Sequence, residues 1–287
     1  MKLIATDLDG TLLNELGKVS TENAQAIKNA LDQGIKVVVA TGRAYEAANQ
    51  PLQEVGLTLP IICLNGAMTY TENKELLKHI PMDRDALQRI QQRCSEENLY
   101  FEIFSQDLAH SVSKEDFKRV LKDIAETANP LVPAEELSER AERRFQEENV
   151  QITNDFEKLL KNKDLNFYKV LAFSLNKDVL AKLASEFQEE PSVAVTASGD
   201  INIEFNHIDA QKGYAVEQFS KRLGIDMKDV MTLGDHFNDE SMIRMAGRGV
   251  AMGNADEAIK EIATHTTKSN LEDGFAYAVE KMLEDFS

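Results

Sequence analysis

Over residues 2 to 83, short apolar runs typical of strands alternate with segments in which apolar residues recur at helical spacing. Short apolar or β-branched runs, as in LIA, IKVVVA and PIICL, have the length of buried strands. Between the first two runs, apolar residues recur at helical spacing from the candidate N-cap Ser20 to the candidate stop Gly34. A second helical pattern begins at Ala44, and we expect Pro51 to interrupt it. Strands that alternate with helices favour parallel pairing through right-handed crossovers, so this region predicts an α/β sheet.

The pattern changes between about residues 84 and 205, where charged residues are dense. Strand-like runs at 99–104, 168–174 and 201–206 are separated by helical stretches, including a helix with a strongly charged face over 133–150. We therefore predict that this segment forms a second domain of the α+β class.

The first pattern returns from Lys212, where a helical stretch ends at Gly224. The runs DVMTLGD and RGVAMGN predict two more strands, and a last helix is predicted from Leu271 to Phe286. The fold class is thus α/β: a doubly wound, mostly parallel, Rossmann-like sheet that is split by an inserted α+β domain. The predicted bounds are 1–82 with 207–287 for the sheet domain and 83–206 for the insertion.

Composition narrows the class of protein. The 287 residues are 43% hydrophobic and 28% charged, which suits a globular protein with one large or two ordinary domains. The net charge of −17 argues against nucleic-acid or anionic-membrane partners. We find no signal-peptide pattern and no run of 18 apolar residues. Cys63 and Cys94 lack CxxC spacing and are interpreted as reduced thiols, so we expect a cytoplasmic protein.

Small and polar residues follow four of the predicted strands, as DLDGT, TGR, NG and GD. Ligands of open parallel sheets bind at the carboxyl ends of the strands, so we expect these residues to meet there. The cation expected to join them is Lys212. Three aspartates without histidine or cysteine ligands favour a hard cation held by oxygen, and Mg²⁺ with a substrate phosphate fits best.

These motifs in order (DxDGT, TGR, a lone lysine and GDxxND) resemble those of the haloacid dehalogenase superfamily. The segments LNGA, GDHFNDESMI, GVAMGNA and SNLEDGFA resemble its Cof-type phosphatases more closely. The resemblance covers nearly the whole chain and is weakest over 84–200. It implies a Rossmann-like catalytic core whose active site is covered by the inserted domain, a cap that contributes the contacts specific to the substrate.

The resemblance also implies roles for individual residues. Asp7 would be the nucleophile that forms an aspartyl-phosphate, and Asp9 the general acid and base. Asp7, the main-chain carbonyl of Asp9 and Asp235 would bind Mg²⁺, while Asp239 would orient the water shell. The main-chain amide of Leu8 would contact phosphate.

Four further residues are expected to hold the phosphoryl oxygens: Thr41, Gly42, Lys212 and Asn238. Other positions stay open at this point. Asn65 and Gly66 suit either a structural turn or a substrate contact. Arg43 suits a phosphate contact, a cap contact or a surface salt bridge, and His236 could touch substrate or face water.

The expected function is a Mg²⁺-dependent phosphatase that hydrolyses small organic phosphate monoesters, such as sugar phosphates or flavin mononucleotide. One alternative is a phosphotransferase or phosphomutase, which would pass the phosphoryl group from Asp7 to an alcohol. The other is a catalytically silent sensor of phosphate ligands. The expected partner is the small phosphate ester itself, and we expect a monomer or weak homodimer.

Overall fold

The computed structural model describes residues 1–106, 108–128, 139, 142–146, 148–199 and 201–285. The chain forms two compact units, one of Met1–His79 with Asp209–Ser287 and one of Ile80–Ile208. Half of the residues in the helix predicted over 133–150 fall outside the described residues, as does Phe286. Among the helices that are described, none has the length and apolarity needed to cross a membrane.

The first unit contains an eight-stranded sheet. Numbered along the whole chain, its strands are β1 Leu3–Thr6, β2 Lys36–Ala40, β3 Ile61–Cys63, β4 Met68–Tyr70, β5 Leu76–His79, β12 Val230–Gly234, β13 Arg248–Ala251 and β14 His265–Thr266. Its helices are α1 Thr21–Asp32, α2 Tyr45–Glu54, α7 Lys212–Arg222, α8 Glu240–Met245, α9 Glu257–Ile262 and α10 Gly274–Asp285. The strand order is β14-β13-β12-β1-β2-β3-β4-β5. All pairs are parallel except β3–β4 and β4–β5, which confirms the predicted mostly parallel α/β sheet.

The centre of this sheet is β1, whose four residues are all fully buried. It pairs with β2 on one side and β12 on the other, and Thr6 lies in register with Val39 and Leu233. The chain runs outward from β1 in both directions along the sheet, so the strand order reverses between β1 and β12. Such a switch point is where open α/β sheets leave a crevice for ligands.

Local sequence signals account for the ends of α1. The main-chain N–H of Asn23 donates to the Ser20 hydroxyl at 3.1 Å, so Ser20 is the N-cap, as predicted. Gly34 ends the helical segment with a φ of +80°, a conformation that glycine adopts without strain. The predicted interruption at Pro51 is wrong, because α2 continues through this residue to Glu54. Burial of one helix face offsets the missing hydrogen bond, since Pro51 itself is buried.

The last helix also differs from its prediction at the N-terminal end. Residues Asn270–Glu272 form a separate short turn, and Asp273 takes a left-handed conformation with a φ of +54°. The regular helix α10 therefore begins at Gly274.

The second unit contains a six-stranded sheet of the order β10-β11-β9-β6-β7-β8. Its strands are β6 Tyr100–Ser105, β7 Ala109–Ser111, β8 Val150–Ile152, β9 Phe167–Phe173, β10 Val193–Thr196 and β11 Asn202–His207. Its helices are α3 Arg84–Glu96, α4 Lys114–Ala128, α5 Phe156–Lys161 and α6 Lys177–Gln188. All pairs are antiparallel except β7–β8. Three of these strands, β6, β9 and β11, were expected from the sequence pattern.

The two faces of this second sheet differ in chemistry. Phe101 and Ile103 of β6 belong to an apolar core that includes residues of α3 and α6. Glu102, between them, lies on the opposite face, where it is fully buried and paired with Arg144 at 2.5 and 2.9 Å. A buried carboxylate needs such a partner, so alternation along the strand separates an apolar face from a face with buried ion pairs.

We predict that Asn23 is a stability determinant of the first unit. Its buried side chain donates to the Leu12 carbonyl at 3.1 Å and accepts from the Ala276 amide at 3.0 Å. Asn23→Ala leaves both backbone groups unpaired, so urea denaturation should show a loss of about 2–4 kcal/mol. The control is Gln25→Ala on the same helix, which removes only an exposed bond to Asn29 and should change stability by less than about 0.5 kcal/mol. Equal losses for both variants would contradict this role.

Candidate active site

The candidate site lies at the carboxyl ends of β1, β2 and β12. Asp7 follows β1 directly, and its main-chain N–H donates to the Leu233 carbonyl of β12 at 3.0 Å. The side chain of Asp7 is buried, which is uncommon for a carboxylate. A buried carboxylate needs a cation or hydrogen-bond donors around it, so its surroundings decide what Asp7 can do.

The chain after Asp7 makes a wide turn over Leu8–Leu12. The Leu13 amide donates to the Leu8 carbonyl at 2.9 Å, and the side chain of Leu8 is fully buried. Asp9 and Gly10 depart from helical geometry within the turn. As a result the side chain of Asp9 is 59% exposed, whereas that of Asp7 is 7% exposed.

Gly10 lets this turn approach the loop after β12. Its φ is +70°, and a Cβ atom added at this position would lie only 2.2 Å from Oδ2 of Asp235. The neighbouring hydroxyl of Thr11 donates to the other carboxylate oxygen of Asp235 at 2.9 Å. The glycine of the DxDGT motif is therefore required by the close passage of Asp235, and the threonine orients that carboxylate.

A buried lysine joins the first and last parts of the site. Lys212 is the first residue of α7, and its side chain has no exposed surface. Its Nζ atom lies 2.8 Å from Oδ1 of Asp7 and 2.7 Å from Oδ1 of Asp239. The predicted meeting of Lys212 with the aspartates is thus present in the first unit.

Asp239 is held by backbone groups as well as by Lys212. Its Oδ2 accepts from the main-chain N–H groups of Asp235 at 2.9 Å and His236 at 3.2 Å. Gly234 makes room for it, because a Cβ atom there would lie 2.4 Å from Cγ of Asp239. Both oxygens of Asp239 are thereby engaged by protein groups, so its carboxylate positions Lys212 and the loop after β12.

The charges in this cluster do not balance. Burial, followed by repulsion from Asp239, raises the pKa of Asp7 well above its ordinary value although Lys212 opposes the shift. The same two causes raise the pKa of Asp235 to about 7, against the Thr11 hydrogen bond and Lys212. Burial alone would lower the pKa of Lys212, but Asp239 and Asp7 raise it above its ordinary value. Lys212 is therefore charged, and one ammonium faces three carboxylates.

This excess of negative charge suits a bound cation. Asp7, Asp235 and Asp239 each offer an oxygen, and these atoms lie within 4.8 Å of one another. The donors are all oxygens, which favours Mg²⁺ or a similar hard cation over a transition metal. Because both oxygens of Asp239 already have partners, Asp7 and Asp235 are the carboxylates best able to turn to a cation.

The loop after β2 carries the TGR motif. The Thr41 side chain is buried, and its hydroxyl accepts from the main-chain N–H of Arg43 at 3.2 Å. Gly42, between them, is half-buried. The guanidinium of Arg43 binds both carboxylate oxygens of Asp9, at 2.6 and 2.8 Å. Of the three interpretations left open for Arg43, the structure favours an ion pair, and its partner is a candidate catalytic residue.

The loop after β3 packs against the TGR motif and the GDxxND motif. Asn65 has a left-handed backbone, and its N–H donates to the Thr41 carbonyl at 2.9 Å. Its side-chain oxygen accepts from Asn238 Nδ2 at 3.5 Å, while the buried Oδ1 of Asn238 lacks a partner among the described residues. Gly66 is needed for packing, because a Cβ atom there would lie 2.7 Å from the Gln211 carbonyl oxygen. Asn238 thus keeps one polar atom available beside the loop that Gly66 anchors.

His236 lies at the rim of this constellation. It is half-buried, and its ring packs edge-on against Phe237 with centroids 5.2 Å apart. Phe237 is 41% exposed. The fold therefore places the histidine beside the aspartates, next to a surface aromatic residue.

The motif analysis assigned no role to two asparagines that the structure places in the site. Asn254 donates to the Gly10 carbonyl at 2.8 Å and accepts from the main-chain N–H of Asn270 at 2.9 Å. Asn270 in turn donates to the Leu13 carbonyl at 2.8 Å. They lie in the segments GVAMGNA and SNLEDGFA, so the signal was present in the sequence as two short motifs, but nothing in either motif singles out its asparagine.

Comparison with known proteins identifies the family. The model of the haloacid dehalogenase-like hydrolases matches residues 4–279. The chain belongs to this family. Phosphatase YwpJ of Bacillus subtilis is 34% identical over 285 residues, covering 99% of this chain and 100% of that relative. The same organism's 5-amino-6-(5-phospho-D-ribitylamino)uracil phosphatase YwtE is 36% identical over 99% of this chain and 98% of its own.

A solved haloacid dehalogenase-like hydrolase from B. subtilis has the same fold. It superposes with a TM-score of 0.88 at 34% identity, covering 98% of this chain and 99% of its own. The haloacid dehalogenase resemblance inferred from the motifs is therefore confirmed. As a member of this hydrolase family, the chain is an enzyme, and the cluster around Asp7 and Lys212 is its candidate active site.

We predict that Gly10→Ala disables the site by a clash and not by general strain. The new methyl group would displace Asp235, so phosphate release should fall by at least about 100-fold, with weaker stabilisation by Mg²⁺. Gly17→Ala is the matched control, since Gly17 has nearly the same φ, +71°, but nothing within 4 Å of an added Cβ. It should lose about 1 kcal/mol of stability and keep its activity. Equal activity losses in the two variants would contradict the clash.

We also predict how metal-free stability depends on pH. The pKa of Asp235 is about 7 in the folded protein and near 3.8 when exposed, so the folded state binds the extra proton between these values. Its contribution to stability is present at low pH and is lost as the pH rises towards 7. In excess chelator, Asp235→Asn should therefore melt several degrees above the wild type at pH 8, with a clearly smaller difference at pH 5. A melting-temperature difference that is larger at pH 5 would contradict this sign.

Proposed function

We propose that the protein is a Mg²⁺-dependent phosphatase that hydrolyses small organic phosphate monoesters through an aspartyl-phosphate on Asp7. The observation that carries the proposal is the contact of Asp7 with the buried Lys212 inside a cluster of three carboxylates. The phosphomonoesterase class itself follows from the hydrolase family and from relatives that are named phosphatases.

The proposed chemistry proceeds in two balanced displacements. A carboxylate oxygen of Asp7 forms a bond to phosphorus while the ester P–O bond breaks, and the leaving oxygen receives a proton from Asp9. Asp9 then takes a proton from a water molecule as the water oxygen attacks phosphorus. Inorganic phosphate leaves, and the carboxylate of Asp7 is restored. The position of Asp9 two residues after Asp7, on an exposed part of the same turn, supports this division of labour.

Four groups are proposed to hold the phosphoryl oxygens: the Lys212 ammonium, the Thr41 hydroxyl, the Gly42 amide and the Asn238 side chain. The main-chain amide of Leu8 is proposed to join them. Lys212 already lies within hydrogen-bond distance of the attacking carboxylate, so it can stabilise negative charge beside the reacting phosphorus. Phosphoryl transfer depends mainly on positioning and charge, which is what such a set supplies.

The proposed metal ligands are the carboxylates of Asp7 and Asp235 with the main-chain carbonyl of Asp9. When bound, Mg²⁺ supplies positive charge that offsets the excess of carboxylates and the charge of the substrate phosphate. Asp239 is proposed to keep Lys212 and the water shell in place.

The proposed substrate is a phosphate on a sugar or polyol chain, with flavin mononucleotide as one such ester. Support comes from the relative YwtE, whose name gives a ribityl phosphate joined to a uracil ring as its substrate. The unit Ile80–Ile208 is proposed to be the cap that selects among such esters. The bounds proposed for the cap, 83–206 with 1–82 and 207–287 as the catalytic core, lie a few residues inside those of this compact unit.

The proposed setting is the cytoplasm, where the protein would act as a monomer or weak homodimer. Cys63 and Cys94 are both buried free thiols, which suits a reducing compartment. The net charge of −17 suits a small-molecule substrate better than a nucleic-acid partner.

The test is phosphate release from a panel of phosphate esters, with Mg²⁺, after chelation and after Mg²⁺ is restored. Chelation should abolish turnover and Mg²⁺ should recover it. Asp7→Asn should abolish turnover, and Asp9→Asn should lower it by about 10²–10⁴-fold, the usual contribution of a general acid. Asp226→Asn is the control, because Asp226 is a surface residue whose side chain is 77% exposed.

Two outcomes would overturn the proposal. Undiminished turnover after exhaustive chelation would remove the metal, and near-normal activity of purified Asp7→Asn would remove the covalent step. Transfer of phosphate to added sugars in place of its release would favour the phosphotransferase alternative.

A further inference from the structure

Pro51 creates an unusual acceptor inside α2. It is the seventh residue of a helix that runs from Tyr45 to Glu54, so it lies well beyond the first turn. Proline has no N–H group, and its ring crowds the carbonyl four residues earlier. The Ala47 carbonyl therefore loses its helical donor and must find another one, since Ala47 is itself buried.

Arg43 supplies that donor. Its Nη1 atom donates to the Ala47 carbonyl oxygen at 3.1 Å. The same guanidinium uses Nε and Nη2 to bind Oδ2 and Oδ1 of Asp9, at 2.8 and 2.6 Å. The side chain of Arg43 is 20% exposed, so much of its length is covered by protein. One planar group is thus fixed at three points, two on the carboxylate and one on the helix.

This geometry differs from an ordinary surface ion pair. Exposed pairs contribute little because two flexible side chains lose their freedom when they meet. Here the fork of the guanidinium matches the carboxylate, and the third hydrogen bond sets the direction of the fork. Asp9 is 59% exposed in a turn, and the guanidinium holds both oxygens of its carboxylate.

We propose that Arg43 is a positioning residue for Asp9 and that Pro51 provides its anchor by freeing the Ala47 carbonyl. The inference rests on the proposed role of Asp9 as general acid and base. The guanidinium fixes the position of the Asp9 carboxyl group relative to the leaving oxygen. A residue with a main-chain N–H at position 51 would compete for the Ala47 carbonyl and hold Arg43 less firmly.

The role predicts a dependence on the leaving group. Phenolate needs a proton from the enzyme much more than p-nitrophenolate does, because it is the stronger base. Arg43→Lys keeps the charge but loses the fork, so kcat/KM on phenyl phosphate, which reports the steps up to formation of the aspartyl-phosphate, should fall about 10-fold. On p-nitrophenyl phosphate the loss should stay below about 3-fold, and KM should change little for either ester.

Pro51→Ala tests the anchor separately. The new main-chain N–H of residue 51 can donate to the Ala47 carbonyl oxygen. It would then compete with Arg43 for this acceptor. The variant should show the same preference for p-nitrophenyl phosphate with a smaller loss, about 3-fold on phenyl phosphate. Its melting temperature should equal or exceed that of the wild type, since an interior proline is removed from the helix. A loss of activity without a loss of stability is a result that a merely structural role would not give.

The control and the double variant make the test decisive. Arg248→Lys removes the fork of another arginine, which begins β13, two strands from β1 on the side away from β2, and pairs with Asp285 at 2.6 Å. It should leave both rates unchanged. In an Asp9→Asn background, Arg43→Lys should cause no further loss on either ester, because Arg43 acts through Asp9.

Three results would overturn the inference. Equal losses in kcat/KM on both esters, or a large rise in KM, would show that Arg43 binds phosphate directly, because kcat/KM reports only the steps up to formation of the aspartyl-phosphate. A further loss in the Asp9→Asn background would show that Arg43 acts without Asp9. Unchanged rates in Arg43→Lys would show that the ion pair is without effect. Failure of the wild type to release phosphate from either ester would instead reject the proposed function, on which the inference rests.

Discussion

The buried ammonium of Lys212 is the constraint on which the rest of the site depends. Its side chain has no exposed surface, so it is stable only beside groups that replace its lost hydration. It is also the first residue of α7, where the positive end of the helix dipole disfavours a cation. Asp7 and Asp239 offset both costs, one from the end of β1 and one from the segment after β12. Three distant segments of the chain are thereby fixed around one nitrogen atom.

The same cluster is more negative than its stability requires. Two carboxylates would suffice for Lys212, yet Asp235 is also brought close, and the absence of a side chain at Gly10 makes that approach possible. Burial and mutual repulsion raise the pKa of Asp7 and of Asp235 as a result. Residues that lower the folding stability of the ligand-free protein are common in sites that a bound ligand completes. The proposed magnesium ion and substrate phosphate would complete this one.

Residues with a local function or a place in the four motifs could be predicted from the sequence, whereas other pairings across the fold could not. Ser20 caps α1 because its hydroxyl reaches its own helix. Lys212 could be placed because it opens a predicted helix in a familiar order of motifs. The hydrogen bond between Arg43 and the carbonyl freed by Pro51 depends on tertiary geometry, so only an interruption of the helix was predicted. Asn254 reaches a carbonyl 244 residues away, and only the order of the strands brings the two together.

The stereochemical course at phosphorus tests the central claim most directly, because Asp7 has been assigned the attack that its contact with Lys212 prepares. An isotopically chiral phosphorothioate ester would be hydrolysed in isotopically labelled water, and the configuration of the released thiophosphate measured. Two in-line displacements, the first by Asp7 and the second by water, invert phosphorus twice and give net retention. Net inversion would mean that water attacks the ester directly, and it would contradict the assignment of Asp7 as the nucleophile.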